Sequence, residues 1–371
     1  MRVLHIGKYF PPVAGGIESF CGDLFDGFTS SDVRCRMLVH RKPGVTLIDH
    51  RDLVGVKAYG EAFFTPLAPF FGFHMWRQIQ QFSPEILHLH LPNPAAFQLL
   101  ALPSARRIPW VIQWHSDVVT SNHQWRLRVA YPIYRRFEGA MLRQAASVVV
   151  ASGAYADASK PLQSLARDKV AIIPLGVNPK RLEDTENLQW PSSGFRLAAV
   201  GRLTYYKGFD RLIRAMVNLP DVSLILLGDG KESDALISLI QSLNLSHRIR
   251  LISNASDRLR NAVIANAQCL CLPSIERTEA YGIVLVEALL LGTPVLATQI
   301  AGSGVPWVVK EGGHGLLAMP DDVDDLREKL FQMATNEPLR DSFKQAAAAN
   351  TDKFHIRRTV SHLRELYKKL C

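Results

Sequence analysis

The stretch that decides the fold of this chain is Glu279-Ala280-Tyr281-Gly282-Ile283-Val284-Leu285-Val286-Glu287. It lies between two apolar runs, 269–272 and 294–297, that predict strands, and its own apolar part predicts a helix over 282–291. A strand, a helix and a second strand in this order form the repeating unit of a parallel α/β sheet. The stretch therefore predicts an α/β protein.

The two glutamates of this stretch are placed to reach one ligand at two points. Glu279 lies in the loop before the predicted helix, and Glu287 lies about two turns along it, at ~1.5 Å rise per residue. Carboxylates only accept hydrogen bonds, which suits pairs of sugar hydroxyls, and the N–H groups of Tyr281, Gly282, Ile283 and Val284 at the helix start suit an anion. Hydroxyls at both ends and a phosphate between them describe a nucleotide-sugar. The alternative is a buried amphipathic helix with one exposed and one capping glutamate.

The surrounding residues resemble a known family. The run from Pro273-Ser274-Ile275-Glu276-Arg277-Thr278 through Glu287, followed by Gly292-Thr293-Pro294-Val295, is similar to the retaining glycosyltransferases of family 4. This resemblance implies the GT-B fold, in which two Rossmann-like, doubly wound domains face a cleft. It also implies that Glu279 binds the hydroxyls of the donor sugar and that Glu287 binds the ribose.

A second motif, Gly201 to Asp210, follows the first predicted strand of the second half and contains Arg202 and Lys207. Two cations beside a helix N-terminus form a site for a diphosphate. The resemblance implies that Arg202 and Lys207 hold the donor diphosphate and stabilise the charge that develops as it leaves. The alternative is an ordinary surface Arg and Lys near a turn.

The first half of the chain offers two more candidates. Gly15 and Gly16 follow the first predicted strand and allow the backbone to approach a ligand at a helix start, although a tight strand–helix turn explains them equally well. His115 ends the predicted strand 110–114, and the resemblance implies that it contacts the donor sugar beside the reacting carbon. Asp117 is expected to orient His115. Of His88 and His90, one is expected to face the acceptor, and His88 is the better candidate for a satisfied core histidine.

Two series of alternating strands and helices predict two domains. The second series includes predicted strands over 195–200, 222–227, 249–252 and 269–272 and a predicted helix over 209–218. We expect residues 1–172 to form an N-terminal, acceptor-side Rossmann-like domain and residues 173–355 a C-terminal domain that binds the nucleotide-sugar. The resemblance implies that the C-terminal helix, 356–371, joins the first domain. The length of 371 residues and the 47% apolar content suit two such cores.

The basic excess of the chain lies in its first half. Residues 1–170 carry a net charge of +7 and residues 171–371 a net charge of +2. Aromatic residues are interleaved with arginines over 104–143, a composition that suits an anionic membrane surface, the alternative being a solvated face. No nucleic-acid-binding module is recognisable. The basic residues of this stretch are Arg106, Arg107, Arg126, Arg128, Arg135, Arg136 and Arg143, against Asp117 and Glu138.

The cysteines and the first residues of the sequence indicate the cellular compartment in which we expect the protein. Five cysteines without a C-x-x-C pair indicate a reducing cytoplasm, and Met1 leads directly into a predicted strand without a signal-type apolar region. Cys269 and Cys271 alternate along a predicted strand and are expected in the core. We expect a cytoplasmic protein, peripheral on the inner face of the plasma membrane.

Metal use is not expected. Asp322-Val323-Asp324 spells a D-x-D sequence, but it opens a predicted helix, where capping is the better explanation. Because Arg202 and Lys207 are available for the diphosphate, no metal or other cofactor is required.

These features predict a retaining, metal-independent hexosyltransferase. The wording of 276–282 and 302–307 is similar to bacterial mannosyl- and rhamnosyltransferase-like sequences of polysaccharide assembly, which favours mannose from GDP-mannose and a saccharide or lipid-linked saccharide acceptor. The resemblance implies no protein nucleophile. Three alternatives stay open: a transferase that uses a UDP-hexose, a sugar-nucleotide epimerase of the same shape, and a non-catalytic protein that binds a sugar phosphate.

Overall fold

The computed structural model describes residues 1–62, 65–118 and 125–371, with the side chains of 62, 65 and 125–130 left out. The chain divides into two compact units. Unit 1 comprises Met1–Leu175 together with Ile356–Cys371, and unit 2 comprises Gly176–His355. The sequence places the boundary after residue 172.

Unit 1 is built on a parallel sheet of seven strands in the order β3-β2-β1-β6-β7-β8-β9, beside a separate antiparallel pair of β4 and β5. The central strands β6 and β7 are buried along their whole length, as expected of a parallel sheet covered on both faces. The strands are β1 (Arg2–Ile6), β2 (Arg34–Arg41), β3 (Leu53–Lys57), β4 (Glu61–Ala62), β5 (Thr65–Pro66), β6 (Ile86–Leu91), β7 (Trp110–Trp114), β8 (Ser147–Val150) and β9 (Val170–Ile172). The helices are α1 (Gly16–Thr29), α2 (Phe71–Phe82), α3 (Pro103–Arg106), α4 (Trp125–Gln144) and α5 (Gly153–Ala158), with a 3-10 helix over Pro94–Ala101.

Unit 2 is a second parallel sheet, of six strands in the order β12-β11-β10-β13-β14-β15. Its strands are β10 (Phe195–Val200), β11 (Val222–Leu227), β12 (Ile249–Ile252), β13 (Cys269–Leu272), β14 (Val295–Thr298) and β15 (Gly315–Ala318). Its helices are α6 (Phe209–Ala215), α7 (Ser233–Ser242), α8 (Asp257–Asn266), α9 (Ile283–Leu290), α10 (Val305–Gly312), α11 (Val323–Thr335) and α12 (Glu337–Asn350). Cys269 and Cys271 are fully buried in β13, as predicted.

The strand order of each sheet reverses direction once. In unit 2 the reversal falls between β10 and β13, and in unit 1 it falls between β1 and β6. Ligands of open α/β sheets bind beyond the carboxyl ends of the strands at such a point. The loops after β10 and β13 contain Lys207 and Glu279, so the topology alone brings these two predicted residues to one edge of the sheet.

The fold class is confirmed: the chain folds as two Rossmann-like domains of the GT-B type. The strands β7, β10, β11, β12 and β13 begin and end at the predicted residues. The helix predicted over 209–218 ends earlier, because α6 tightens into a 3-10 turn at Met216–Asn218. The short strands β3, β9 and β15 and the helix α10 were not predicted.

The last helix, α13 (Ile356–Leu370), belongs to unit 1. It packs against α1, and a Cβ on Gly27 of α1 would meet the side chains of Val360 and Ile356. Tyr367 is fully buried, with its hydroxyl 2.6 Å from His88 Nδ1. Unit 1 therefore contains both ends of the chain.

Candidate functional site

Two loops meet at the carboxyl edge of the unit 2 sheet, one after β10 and one after β13. The backbone N–H of Ile275 donates to the carbonyl of Tyr206 at 2.8 Å, and the Tyr205 hydroxyl donates to Glu276 Oε2 at 2.6 Å. Gly208 has φ 65°, and a Cβ there would lie 2.2 Å from the Pro273 carbonyl oxygen. Only glycine permits both this conformation and this approach, so the two loops are held together.

Lys207 and Glu279 form an ion pair where these loops meet. Lys207 Nζ donates to Glu279 Oε2 at 2.5 Å, and the Ser274 hydroxyl donates to the same oxygen at 3.0 Å. Each charged side chain is only 12% exposed. Burial alone would lower the pKa of Lys207, but attraction to the Glu279 carboxylate outweighs it and raises that pKa. The lysine is therefore cationic and the site contains a fixed pair of opposite charges.

Arg202, the other predicted cation of the diphosphate site, is exposed on the loop after β10. Its positive charge opposes the protonation of Lys207, which indicates that the two cations act on the same region. A diphosphate bound there would relieve this repulsion, because its negative charge would be shared by both.

Glu287 lies on α9 with its carboxylate 2% exposed. Arg181 Nη2 donates to Glu287 Oε1 at 3.0 Å, and Arg260 Nη1 donates to the same oxygen at 3.2 Å. Burial would raise the pKa of Glu287, but the guanidinium groups of Arg260 and Arg181 lower it. Neither arginine was predicted from the sequence. Both arginines contact the same oxygen, Oε1.

The start of α9 has the geometry that the sequence suggested. Gly282 is the N-cap residue with φ 76°, and a Cβ there would come within 3.0 Å of Leu272 and Leu285. Tyr281 and Val284 are buried, and Ile283 is partly exposed. Of the first-turn N–H groups of α9, that of Leu285 donates to the carbonyl of the N-cap residue Gly282 at 2.9 Å.

The Gly15-Gly16 turn before α1 contains a group that sequence reasoning missed. Glu18, in the first turn of α1, is buried, and a Cβ on Gly15 would lie 2.1 Å from its Oε2. The absence of a Gly15 side chain therefore makes room for a carboxylate of the chain itself. An acidic group at this helix start stabilises the helix and repels a phosphate.

His115 follows β7 and contacts another histidine. Its Nε2 lies 3.1 Å from His90 Nδ1, and the two ring planes are 14° apart with their centroids 5.4 Å apart. Burial lowers the pKa of His115 to about 3. His90 is itself buried, which corrects the expectation that one of His88 and His90 faces the acceptor. His88 is a core histidine, as predicted, bonded to Tyr367.

Asp117, expected to orient His115, is bound to other residues. Its Oδ1 accepts from Trp114 Nε1 at 2.9 Å and from the Ser159 hydroxyl at 2.6 Å. The Tyr155 hydroxyl accepts from the Asp117 backbone N–H at 2.7 Å. The rings of His90 and Phe20 contact that of His115.

The D-x-D sequence is a helix cap, as predicted. The Asp322 carboxylate accepts from the backbone N–H groups of Asp324 and Asp325 at 3.0 Å each, at the start of α11. This is the hydrogen bonding of an N-cap.

The stretch 104–143 is described in part. Residues 119–124, and the side chains of Trp125, Arg126 and Arg128, lie outside the described residues. In the described part of α4, Ile133 and Phe137 are exposed beside Arg135 and Arg136. A cavity of about 300 Å³ in unit 1 is lined by Arg135, Glu138, Arg143 and Lys160, among others. Among the described helices, none combines the length and the apolar composition needed to cross a bilayer.

Two protein-family models match this chain, one over its first half and one over its second half. Residues 14–181 match the family described as Glycosyltransferase Family 4, and residues 180–350 match the family described as Glycosyl transferases group 1. The two matches together extend from residue 14 to residue 350. The second contains Arg202, Lys207, Glu279 and Glu287.

Curated relatives match over the whole chain at low identity. A phosphatidyl-myo-inositol mannosyltransferase from Mycobacterium leprae is 27% identical, over 99% of this chain and 96% of its own length. The O-antigen chain mannosyltransferase C from Escherichia coli is 26% identical, over 100% of this chain and 98% of its own length. The D-rhamnosyltransferase WbpZ from Pseudomonas aeruginosa is 25% identical, over 89% of this chain and 86% of its own length.

Solved structures share the fold. A sucrose-phosphate synthase from Thermosynechococcus elongatus superposes with a TM-score of 0.81 at 19% identity, covering 100% of this chain and 98% of that one. HepE from Anabaena, solved in complex with UDP-glucose, has a TM-score of 0.75 at 20% identity and covers 100% of both chains.

Proposed function

We propose that this chain, which belongs to the family 4 and group 1 glycosyltransferases, transfers a hexose with retention of anomeric configuration from a nucleotide-sugar to a saccharide or lipid-linked saccharide. The observation that carries the proposal is the Lys207–Glu279 pair at the carboxyl edge of the unit 2 sheet. Cation and carboxylate there are the two groups that a sugar diphosphate needs, one for its phosphates and one for its hydroxyls.

In this proposal Arg202 and Lys207 bind the diphosphate and stabilise the charge that it gains on leaving. Glu279 accepts hydrogen bonds from hydroxyls of the sugar, and Glu287 Oε2 accepts from the ribose while Arg181 and Arg260 hold Oε1. The N–H groups at the start of α9, from Tyr281 to Val284, face the phosphates. Gly15 and Gly16 keep their proposed place near the donor, with Glu18 beside them.

The proposed reaction uses no protein nucleophile. The acceptor hydroxyl oxygen bonds to the anomeric carbon as the bond from that carbon to the phosphate oxygen breaks, and the hydroxyl proton passes to a phosphate oxygen. His115 contacts the donor sugar. We propose that no metal takes part, because two cationic side chains are available for the diphosphate.

We propose GDP-mannose as the donor, supported by the mannosyltransferases among the relatives. The HepE complex with UDP-glucose supports the rival donor class, a UDP-hexose. A thermal-shift panel of GDP-, UDP-, ADP- and dTDP-sugars separates them, since the bound ligand raises the melting temperature. A larger shift with GDP-mannose than with any UDP-sugar supports the proposal, and the reverse order contradicts it.

Transfer is then tested with the donor that binds, an oligosaccharide acceptor and EDTA present. Product with the anomeric configuration of the donor, assigned by NMR, supports a retaining and metal-independent reaction, whereas an inverted product contradicts it. Conversion of the donor sugar without acceptor would instead indicate an epimerase. Binding with no turnover across an acceptor panel would indicate a sugar-phosphate-binding protein.

We also propose that residues 104–143 rest on an anionic membrane surface, supported by exposed Ile133 and Phe137 beside Arg135 and Arg136. Co-sedimentation with vesicles tests this. Retention by vesicles containing phosphatidylglycerol at low salt, with release at high salt, is expected. Equal retention by neutral vesicles, or no retention at all, would contradict the electrostatic contact.

A further inference from the structure

Three histidines of unit 1 form a continuous chain of ring-to-ring contacts that ends at His115. His5 Nδ1 in β1 lies 3.2 Å from His90 Nε2 in β6, and His90 Nδ1 lies 3.1 Å from His115 Nε2 after β7. Each separation is a hydrogen-bond distance between nitrogens. His5 and His90 are buried, at 0% and 1% exposure.

All three rings are neutral. Burial lowers the pKa of His5 and of His115 to about 3 and that of His90 well below its ordinary value. A neutral imidazole has one N–H group and one bare nitrogen. Each contact in the chain therefore needs one donor and one acceptor, and the choice made at one ring dictates the choice at the next.

Only two arrangements of the protons satisfy both contacts. In the first, all three rings carry the proton on Nδ1, so that His5 donates to His90 and His90 donates to His115. In the second, all three carry it on Nε2, and the donation runs from His115 to His5. The two differ at the ends of the chain, because the first leaves an N–H on His115 Nδ1 and the second leaves one on His5 Nε2.

The environment of His5, at the inner end of the row of histidines, decides between the two proton arrangements. His5 Nε2 is buried and has no hydrogen-bond partner in the described part of the chain. A buried N–H without an acceptor is rarer and costlier than an acceptor that lacks a donor. The Cys21 thiol, 3.7 Å from His90 Nδ1, is a weak donor and a weak acceptor and fits either arrangement.

We propose that His5 and His90 are positioning residues that hold His115 in its Nδ1–H tautomer, so that this ring presents a hydrogen-bond donor to an oxygen of a bound sugar. The tautomer follows from the two contacts between rings and from the unpartnered His5 Nε2. Its use toward a sugar rests on the proposed function.

A metal ion is the rival occupant of this cluster. His5, His88 and His90 place ring nitrogens within 4.8 Å of one another. The rings of His5 and His88, however, are stacked with their planes 14° apart and their centroids 4.5 Å apart. Because the lone pair of an imidazole nitrogen lies in the ring plane, stacked rings direct their lone pairs side by side and not toward a common ion.

The tautomer is read directly from the ring ¹⁵N chemical shifts of histidine-labelled full-length protein, with the His115 signals assigned by their loss in His115→Asn. We expect a protonated Nδ1 and a bare Nε2 on His115 at pH 7. A protonated Nε2, an averaged pair of shifts, or a stoichiometric metal ion in the purified protein by elemental analysis would each overturn the proposal.

A pair of His5 variants tests the role of the inner ring. The amide nitrogen of Asn occupies nearly the position of His Nδ1, so His5→Asn keeps a donor to His90, whereas His5→Leu removes it. We expect His5→Asn to retain the His115 tautomer and a kcat within about threefold of the wild type. We expect His5→Leu to mix the two tautomers and to lower kcat about tenfold with little change in KM for the donor.

Equal behaviour of the two variants, in shifts and in kcat, would overturn the positioning role. The ¹⁵N spectrum needs no substrate, so it separates this inference from the proposed function. A protonated Nδ1 in a protein without transferase activity would leave the tautomer standing and remove the function. Transferase activity together with a protonated Nε2 on His115 would support the proposed function and overturn the proposed tautomer.

Discussion

In each sheet, polar groups gather near the point where the strand order reverses. Those of unit 2 are ionised, whereas those of unit 1 are neutral. At the edge of the unit 2 sheet the groups are ionised and paired, Lys207 with Glu279, and Glu287 of α9 is likewise paired with Arg181 and Arg260. Beside the reversal in unit 1 they are neutral imidazoles that contact one another. Both sets of groups are largely buried, and they differ in their partners. An opposite charge within hydrogen-bond distance helps a buried group to stay charged.

The largest effect expected from breaking this contrast is on activity. Glu279→Gln removes the charge that pairs with Lys207 and replaces an acceptor-only carboxylate by an amide. We expect kcat/KM for the donor to fall about 10²- to 10³-fold, the usual effect of losing one electrostatic contact in a transition state. The measurement is initial-rate kinetics with the donor identified by thermal shift.

The matched control for Glu279→Gln is Glu311→Gln, which removes a carboxylate of the same type from a partly exposed pair with Lys353. We expect its kcat/KM to stay within twofold of the wild type. Similar losses in both variants would show that charge removal anywhere in unit 2 lowers activity, and the site assignment would fail.

Removing the buried charge of Glu287 is expected to lower the stability of the fold. Glu287→Gln leaves Arg181 and Arg260 without their common carboxylate, and we expect the free energy of unfolding at pH 7 to fall by about 3 kcal/mol. Because the pKa of Glu287 is lower in the folded than in the unfolded state, its contribution is present above the ordinary carboxyl pKa of 4.5 and is lost as the pH falls through the folded value. The difference from the wild type should therefore shrink below about pH 4.5.

Urea denaturation of both proteins between pH 7 and pH 3 provides the measurement. The surface variant Glu311→Gln again serves as the control, with an expected change below about 0.5 kcal/mol. A difference between wild type and Glu287→Gln that stays constant over this pH range would show that Glu287 is not ionised in the folded protein.

The neutral side of the contrast predicts a loss of stability in acid of the same sign, but one that begins at a higher pH. The pKa of His5 is about 3 in the folded state and 6.5 ordinarily, so below pH 6.5 only the unfolded state takes up the proton, and acid destabilises the fold. Each such histidine contributes a slope of about 1.4 kcal/mol per pH unit. His5→Leu should make the free energy of unfolding fall less steeply by this amount between pH 6 and pH 4. An unchanged slope would contradict the neutral, buried state.

The smallest effect expected belongs to an acid of unit 2 that has no charged partner among the residues that the structure describes. Asp322→Ala removes the N-cap of α11 and should cost about 1 kcal/mol of stability, whereas Asp322→Asn keeps the cap and should cost less than half of that. Neither should change kcat/KM, with or without EDTA. A loss of activity restored by added Mn²⁺ or Mg²⁺ would instead give the D-x-D sequence the metal-binding role that we reject.

The sequence predicted those parts of the molecule that are fixed by neighbouring residues. Apolar runs such as 222–227 and 269–272 gave strands with the correct ends, and Asp322 was correctly assigned as a cap, because period and capping are local signals. The strand β15, which is only partly buried over its first three residues, and the three-residue β9 were missed, although each contains an apolar run.

Contacts between distant residues could not be predicted from the sequence. Arg181 lies 106 positions from Glu287, and His5 lies 85 positions from His90. Nothing in the composition around His5 distinguishes it from a core residue of a strand. The roles assigned to Arg202, Lys207, Glu279 and Glu287 came from the family resemblance, and they stay predictions until the variants above are measured.

The C-terminal helix also constrains the order in which the chain can fold. Tyr367 of α13 fills the core of unit 1 and touches His88, yet it is synthesised after every residue of unit 2. Large proteins usually fold one domain after another as the ribosome makes them, starting from the N-terminus. Here unit 1 needs residues that follow unit 2 in the sequence, so a nascent polypeptide can complete unit 2 first and exposes part of the unit 1 core until α13 has been made.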